Sequence, residues 1–148
     1  MSAAADTSEA QRLAERAVAA LYAGDRASQS LGIRIEQIAP GAVRVAMTVR
    51  PDMVNGHRIC HGGIVFALAD SAFAFACNSY GDNALAAAAS IDFLAPAREG
   101  DALTADAREL WRAGRSGLYE ITVSNQRGDR IALFRGRSHR IEGRLVND

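Results

Sequence analysis

The chain has 148 residues, a length that suits one domain with a sizeable core, and we expect a single domain over residues 1–148. Its 17 basic and 17 acidic residues cancel, which argues against general binding to nucleic acid or to an anionic membrane. Two cysteines outside CxxC spacing, and a start without the layout of a signal peptide, predict a cytoplasmic protein with reduced thiols.

The first third of the chain predicts a helix and a β-hairpin. Apolar residues recur at helical spacing from Thr7 to about Tyr22, within an N-terminal helical segment over residues 1–25. Residues 31–38 and 42–49 then alternate between apolar and polar side chains, and the proline and glycine between them favour a turn. We therefore expect an amphipathic helix followed by two antiparallel strands.

The centre of the chain predicts a buried helix after a loop over residues 52–60. From Gly62 to Gly81 almost every residue is apolar, which is typical of a helix that is buried on all sides. The helix carries one charged side chain, Asp70. Three polar side chains and this carboxylate interrupt the apolar run, which argues against a membrane span.

The last third of the chain predicts four strands and a polar tail. The tail covers residues 142–148, and we expect it to fray. Four alternating segments precede it, at residues 84–95, 101–112, 116–125 and 130–141. One buried helix and six strands leave no second helical layer, so a single curved antiparallel sheet must wrap the helix. This is the hotdog fold, of the α+β class, with an additional N-terminal helix.

The carboxylate of Asp70 requires a physical explanation because burial of an unpaired charge is costly. A carboxylate in an apolar helix is either satisfied by local hydrogen bonds or serves a functional site. Gly62 and Gly63 favour the second interpretation. They open the helix without side chains, and the free N–H groups at a helix N-terminus can bind an oxyanion or a carbonyl oxygen. Carboxylate and donors together suggest acyl chemistry.

The spacing of these groups predicts a dimer. Asp70 lies eight residues after Gly62, about 12 Å along a helix. Attack on a carbonyl needs reacting atoms about 3 Å apart, so one helix cannot easily supply both groups. Two antiparallel helices across a two-fold axis would place the N-terminus of one beside Asp70 of the other. We therefore expect an obligate homodimer with shared sites.

The sequence resembles the hotdog-fold acyl-CoA thioesterases, in particular the PaaI type of phenylacetate degradation. The likeness runs from about Leu31 to Gly143, and four segments carry it: NGHRICHGG at 55–63, LADSAFA at 68–74, SIDFLAP at 90–96 and ALFRGRSHR at 132–140. It implies hydrolysis of phenylacetyl-CoA and its ring-hydroxylated relatives. It also suggests a tetramer made of two dimers.

The resemblance implies a role for each residue of the predicted catalytic site. Asp70 matches the acid of the family, which acts as nucleophile or as general base for water. The Gly62 N–H would polarise the thioester carbonyl, and His61 would help to hold it. Asn55 would line the site, and the hydroxyl of Ser71 stands where the family often has threonine.

The C-terminal strand supplies the candidates for CoA binding. Arginines outnumber acids in residues 127–140, and four side chains there are candidate contacts for the CoA phosphates: Arg135, Arg137, Ser138 and Arg140. In a strand, Arg135 and Arg137 point to one face while Ser138 and Arg140 point to the other. An ordinary solvated arginine face is the alternative interpretation.

Other functions stay open at this point. A hotdog enoyl-CoA hydratase or dehydratase would use histidine as its main base, and some hotdog domains bind acyl-CoA without catalysis. The loop histidines could also simply pack. A zinc site formed from His57, Cys60, His61 and Asp70 is conceivable, but the spacing fits none of the common zinc patterns. We therefore expect no metal and no other cofactor.

Overall fold

The computed structural model describes residues 3–147. Their order of elements matches the predicted order, with one short helix added. The elements are α1 (Ala3–Gly24), α2 (Arg26–Ser30), β1 (Arg34–Ala39), β2 (Ala42–Thr48), a 3-10 turn (Pro51–Met53), α3 (Gly62–Cys77), β3 (Asp82–Phe93), β4 (Ala102–Ala113), β5 (Ser116–Ser124) and β6 (Arg130–Arg144).

The strands form one antiparallel sheet in the order β1-β2-β4-β5-β6-β3. The sheet curves around α3, which contacts β2, β3, β4, β5 and β6, while α1 packs on β1. This arrangement confirms the hotdog fold of the α+β class with an additional N-terminal helix. It leaves β1 and β3 as the two edge strands, and β3 flanks the N-terminal end of α3.

The core forms between α3 and the inner face of the sheet. Phe73 of α3 is 1% exposed and packs between Tyr119 and Phe134, with ring centroids 5.6 Å and 5.9 Å away. The predicted apolar face of β2 is confirmed, since Val43, Val45 and Met47 are all buried, as is Val49 directly after the strand. The apolar faces of the strands therefore pack against the apolar helix, as expected.

Several boundaries differ from the prediction by a few residues, and two of these differences have a clear physical cause. Residues 31–33 form the turn after α2 rather than the start of β1, because Leu31 caps the helix and its N–H donates to the Ala27 carbonyl at 3.1 Å. Strand β6 continues to Arg144, so the prediction of a frayed tail is wrong for residues 142–144. Arg144 Nη1 lies 2.9 Å from Asp82 Oδ1, and the Leu145 N–H donates to Gly81 O at 2.7 Å.

Helix α1 is amphipathic, as its sequence pattern predicts. Its buried residues are Ala14, Ala17 and Val18. Two side chains join it to the following segment: Gln11 Nε2 donates to Ile38 O and Tyr22 Oη donates to Ile33 O, both at 2.6 Å. Among the described helices, none has the length and hydropathy of a membrane span.

Candidate active site

The N-terminus of α3 is capped by the histidine that precedes it. His61 Nδ1 accepts the Gly63 N–H at 2.9 Å. A neutral imidazole that accepts at Nδ1 carries its proton on Nε2, so the exposed edge of the ring is a donor. Within residues 3–147 no acceptor takes the Gly62 N–H. The helix therefore begins with one capped and one available donor at the positive end of its dipole.

The loop before α3 holds this end in place. Asn55 Oδ1 accepts the His57 N–H at 2.9 Å, and the Asn55 N–H donates to Ile59 O at 2.8 Å. The His61 N–H donates to Met53 O at 2.8 Å. Arg58 has a φ of 64°, in the left-handed region, which closes the tight turn. These bonds bring Asn55 and Gly62 to the same side of the loop.

A cleft of about 430 Å³ opens at the end of α3. Its size lies within the range of small-molecule sites. Asn55 and Gly62 line it, and most of its other lining residues are apolar: Ile59, Cys60, Val65, Phe93, Leu94, Ala95, Pro96, Ala97 and Ile131. The Phe93 ring lies so close that a Cβ at position 62 would be 3.2 Å from it. Glycine therefore leaves room for a ligand beside the free N–H.

Asp70 does not line this cleft. Its side chain is half-buried, and no group in the described part of the chain donates a hydrogen bond to its carboxylate. Burial raises the pKa of Asp70, and the nearby negative charge of Asp25 raises it further. The single chain therefore separates the carboxylate from the donor at Gly62, as the spacing predicts.

The hydroxyl of Ser71 belongs to a polar cluster that sequence analysis did not find. Ser71 Oγ lies 2.8 Å from Ala67 O and 2.9 Å from Ser28 Oγ. Ser28 Oγ in turn donates to Asp25 Oδ2 at 2.6 Å. A sequence signal was available, because aspartate is a preferred residue at the N-cap of a helix, the position that Asp25 takes before α2. The sequence analysis did not predict the short helix α2 and therefore did not identify Asp25 as its N-cap.

The four candidate CoA contacts lie on two faces of β6, as alternation predicts, and do not form one cluster. Arg135 and Arg137 are exposed on the outer face, where Arg135 Nη2 lies 3.3 Å from Glu120 Oε2. Ser138 and Arg140 lie near the C-terminal end of α3 and line a small cavity of about 30 Å³. Arg140 Nη1 lies 3.5 Å from Asp82 Oδ2. The arginines therefore occupy both sides of one strand.

Both cysteines are buried and free. Burial raises the pKa of Cys60 to about 11 and that of Cys77 to about 12, so both thiols are neutral at physiological pH. The structure brings together no group of three or more metal-ligating side chains within the described residues. His57 is exposed in the loop, outside the lining of the cleft.

Comparison with known proteins places this architecture in a family. Residues 57–132 match the thioesterase superfamily. The acyl-coenzyme A thioesterase PaaI of Escherichia coli strain K12 is 47% identical over 129 residues, which cover 87% of this chain and 92% of that protein.

Solved structures agree with the sequence comparison. The E. coli PaaI protein from the phenylacetic acid degradation operon superposes with a TM-score of 0.89 at 46% identity, covering 90% of this chain and 97% of that one. The smu.793 protein of Streptococcus mutans UA159, solved with acetyl CoA bound, superposes with a TM-score of 0.73 at 25% identity, covering 76% and 90% of the two chains. The chain therefore belongs to the thioesterase superfamily as a PaaI-like hydrolase of thioester bonds.

Proposed function

We propose that this protein hydrolyses phenylacetyl-CoA and ring-hydroxylated phenylacetyl-CoA, with Asp70 as the reacting carboxylate. The observation that carries the proposal is the half-buried carboxylate of Asp70, which has no hydrogen-bond donor in the described chain. The apolar cleft at Gly62 supports an aromatic acyl group. The similarity to E. coli PaaI and to a protein solved with acetyl CoA supports a CoA thioester as substrate.

The thioester carbonyl would lie at the start of α3. There the free Gly62 N–H donates to the carbonyl oxygen, and its interaction strengthens as negative charge develops on that oxygen. His61 Nε2–H supplies a second donor, since Nδ1 is occupied by the Gly63 N–H. Asn55 borders the same cleft and helps to position the acyl group.

Asp70 would start the reaction in one of two ways. As general base it takes a proton from water while the water oxygen attacks the carbonyl carbon; as nucleophile its own oxygen attacks, and water then hydrolyses the mixed anhydride. In both routes the C–S bond breaks, CoA leaves as the thiolate and is protonated to the thiol, and the acyl group leaves as the carboxylic acid. Ser71 would hold the attacking water.

A second copy of the chain would bring Asp70 to the cleft. The face of α3 that carries Asp70 is lined by small side chains and is only partly covered: Gly63, Ala67 and Ala74. Edge strand β3 is exposed on both faces from Leu85 to Ser90, and Phe93 is 55% exposed. Pairing two β3 edges would continue the sheet and set two α3 helices antiparallel across a two-fold axis.

The wider assembly and the CoA contacts follow from the same arrangement. A dimer that extends through β3 also brings β6, which pairs with β3, close to the partner. We place the CoA phosphates against Arg135, Arg137, Ser138 and Arg140 and expect two such dimers to form a tetramer. The two free thiols fit a reducing compartment, so we place the reaction in the cytoplasm.

The test is thiol release from a panel of aromatic and aliphatic CoA thioesters, measured for the native protein and for Asp70→Asn. We expect the native protein to prefer the aromatic esters and the variant to lose turnover while it stays folded. Asp129→Asn, in the exposed turn before β6, is the matched control and should keep native turnover.

Four results would overturn the proposal or a part of it. Native turnover in Asp70→Asn would remove the carboxylate from the mechanism. Loss of absorbance from crotonyl-CoA without thiol release would identify a hydratase, and saturable binding of CoA esters without thiol release would identify a binding module. Sedimentation of the native protein checks the dimer, because a monomer with full turnover would contradict the shared site.

A further inference from the structure

A chain of hydrogen bonds leads from Ser71 to a carboxylate outside α3. Ser71 Oγ lies 2.9 Å from Ser28 Oγ, and Ser28 Oγ donates to Asp25 Oδ2 at 2.6 Å. Asp25 Oδ1 accepts the Ser28 N–H at 2.9 Å, so both carboxylate oxygens are held. We propose that Asp25 is a positioning residue for thioester hydrolysis, acting through Ser28 on the hydroxyl of Ser71. The inference rests on the proposed role of Asp70.

The carboxylate sets the direction of these hydrogen bonds. An ionised carboxylate only accepts, so the single proton of the Ser28 hydroxyl points to Asp25. Ser28 Oγ can then bond Ser71 Oγ only as an acceptor, and Ser71 must supply its own proton to that contact. Ser71 Oγ also donates to Ala67 O at 2.8 Å, so its one proton is shared between that carbonyl and Ser28 Oγ. If the Ser71 proton went to Ala67 O alone, the two hydroxyl oxygens would face each other without a proton between them.

The orientation of the Ser71 hydroxyl affects the groups that react. With its proton directed to Ser28, Ser71 Oγ offers lone pairs to a water molecule beside Asp70, its neighbour in the chain. Such a water would donate one proton to Asp70 and the other to Ser71, which orients its oxygen for attack. Ser28 is 2% exposed, so the contact that sets this orientation is shielded from competing water.

Asp25 also acts on Asp70 through its charge. Together with burial, the negative charge of Asp25 raises the pKa of Asp70, which makes the ionised carboxylate a stronger base. Burial and Asp25 are the causes of this shift, and the other titratable side chains near α3 are not among them. Those side chains are Cys60 and His61 at its N-terminal end, Tyr22 beside Phe75, and, toward its C-terminal end, Cys77, Tyr80, Asp82, Glu109, Tyr119 and Arg140. Asp25 is therefore the charge that acts on the middle of the helix.

The decisive variant is Asp25→Asn. Asparagine keeps an oxygen for the Ser28 N–H and caps α2 as well as aspartate does. Its amide nitrogen must then face Ser28 Oγ and donate to it, which turns the Ser28 proton to Ser71 and the Ser71 proton to Ala67 O. We expect kcat to fall about tenfold, equivalent to about 1.4 kcal/mol, with KM unchanged. We also expect the acidic limb of the pH–rate profile to move to lower pH because the charge is lost.

Ser28→Ala separates the two effects. It breaks the chain of hydrogen bonds but keeps the charge of Asp25, so kcat should fall while the acidic limb stays in place. Two controls should keep native kinetics: Ser30→Ala, which removes an exposed hydroxyl from the same helix, and Glu36→Gln, which removes an exposed carboxylate from β1. Thermal unfolding of each variant shows whether α2 is intact.

The outcomes distinguish this inference from the proposed function. If Asp70→Asn is inactive while Asp25→Asn or Ser28→Ala keeps native kcat, the positioning role is wrong and the proposed function stands. If Asp70→Asn hydrolyses thioesters at the native rate, the proposed function itself fails. A lower melting temperature for Asp25→Asn with native kcat for the folded protein would reduce Asp25 to a helix cap and overturn the inference.

Discussion

The glycine in the middle of the FRGRSHR segment makes a sharp stability prediction. Gly136 lies on the inner face of β6, where a Cβ would be 2.8 Å from Phe73 Cζ and 2.9 Å from each Cε atom of that ring. The Phe73 ring cannot move aside, since Tyr119 and Phe134 pack against it and the residue is 1% exposed. We therefore expect Gly136→Ala to lower the free energy of unfolding by about 1–3 kcal/mol, the usual cost of overpacking a core.

Thermal and urea unfolding at matched protein concentration measure this cost. For a chain of this size, 1 kcal/mol corresponds to about 2–4 °C, so the melting temperature should fall by about 2–12 °C. Gly24→Ala is the control, because a Cβ there meets nothing within 4 Å. It should leave stability unchanged or raise it slightly, since alanine is the better helix former.

A double variant identifies the atoms responsible. Phe73→Leu removes the atoms that the new methyl group would meet, so the cost of Gly136→Ala should be smaller in that background. An unfolding midpoint for Gly136→Ala equal to that of the native protein would refute the packing argument. The glycine of this segment would then need an explanation at the CoA site rather than in the core.

Three further predictions concern the site and the assembly. Hydrolysis should decline as pH falls, with the acidic limb of the pH–rate profile above the ordinary aspartate range, because burial and Asp25 raise the pKa of Asp70; a limb near pH 4 would contradict this. Asp70→Asn should raise the melting temperature at neutral pH, because a carboxylate whose pKa is raised in the folded state destabilises that state when it is ionised. This gain in melting temperature should vanish at a pH below the unfolded-state pKa, where the carboxyl group is protonated in both states. An equal melting temperature at neutral pH would argue that the carboxylate is better satisfied in the assembly than in the single chain. Ala89→Asp should dissociate the dimer, as sedimentation would show, because it places a charge on the exposed edge strand without touching the core of its own chain; an intact dimer would place the interface elsewhere.

Most of the fold could be predicted because local patterns and global packing agree in this chain. Apolar and polar side chains alternate along most of the strands, and the apolar run from Gly62 favours a buried helix. The two main errors have different causes. The five-residue helix α2 is too short to show periodicity, and β6 extends to Arg144 through pairing with Asp82, which lies far away in the chain.

The predicted site residues divide in the same way. Alternation on β6 correctly separated Arg135 and Arg137 from Ser138 and Arg140, because a strand has a period of two. The contact of Ser71 with Ser28 could not be predicted, since 43 residues separate them and no local rule joins two hydroxyls at that range. The packing of Gly136 against Phe73 could not be predicted for the same reason, since the two residues are far apart in the sequence.

The sequence alone determined that a carboxylate lies within the central helix and that glycines open its N-terminus, because composition and helical rise are local properties of the chain. It also determined that these two groups lie too far apart to act on one carbonyl from the same helix. The tertiary structure decided which groups surround them: the cleft at Gly62, lined by Phe93 from β3, and the Asp25 carboxylate behind Ser28 and Ser71. These contacts join segments distant in sequence, so only the folding of the sheet around the helix creates them.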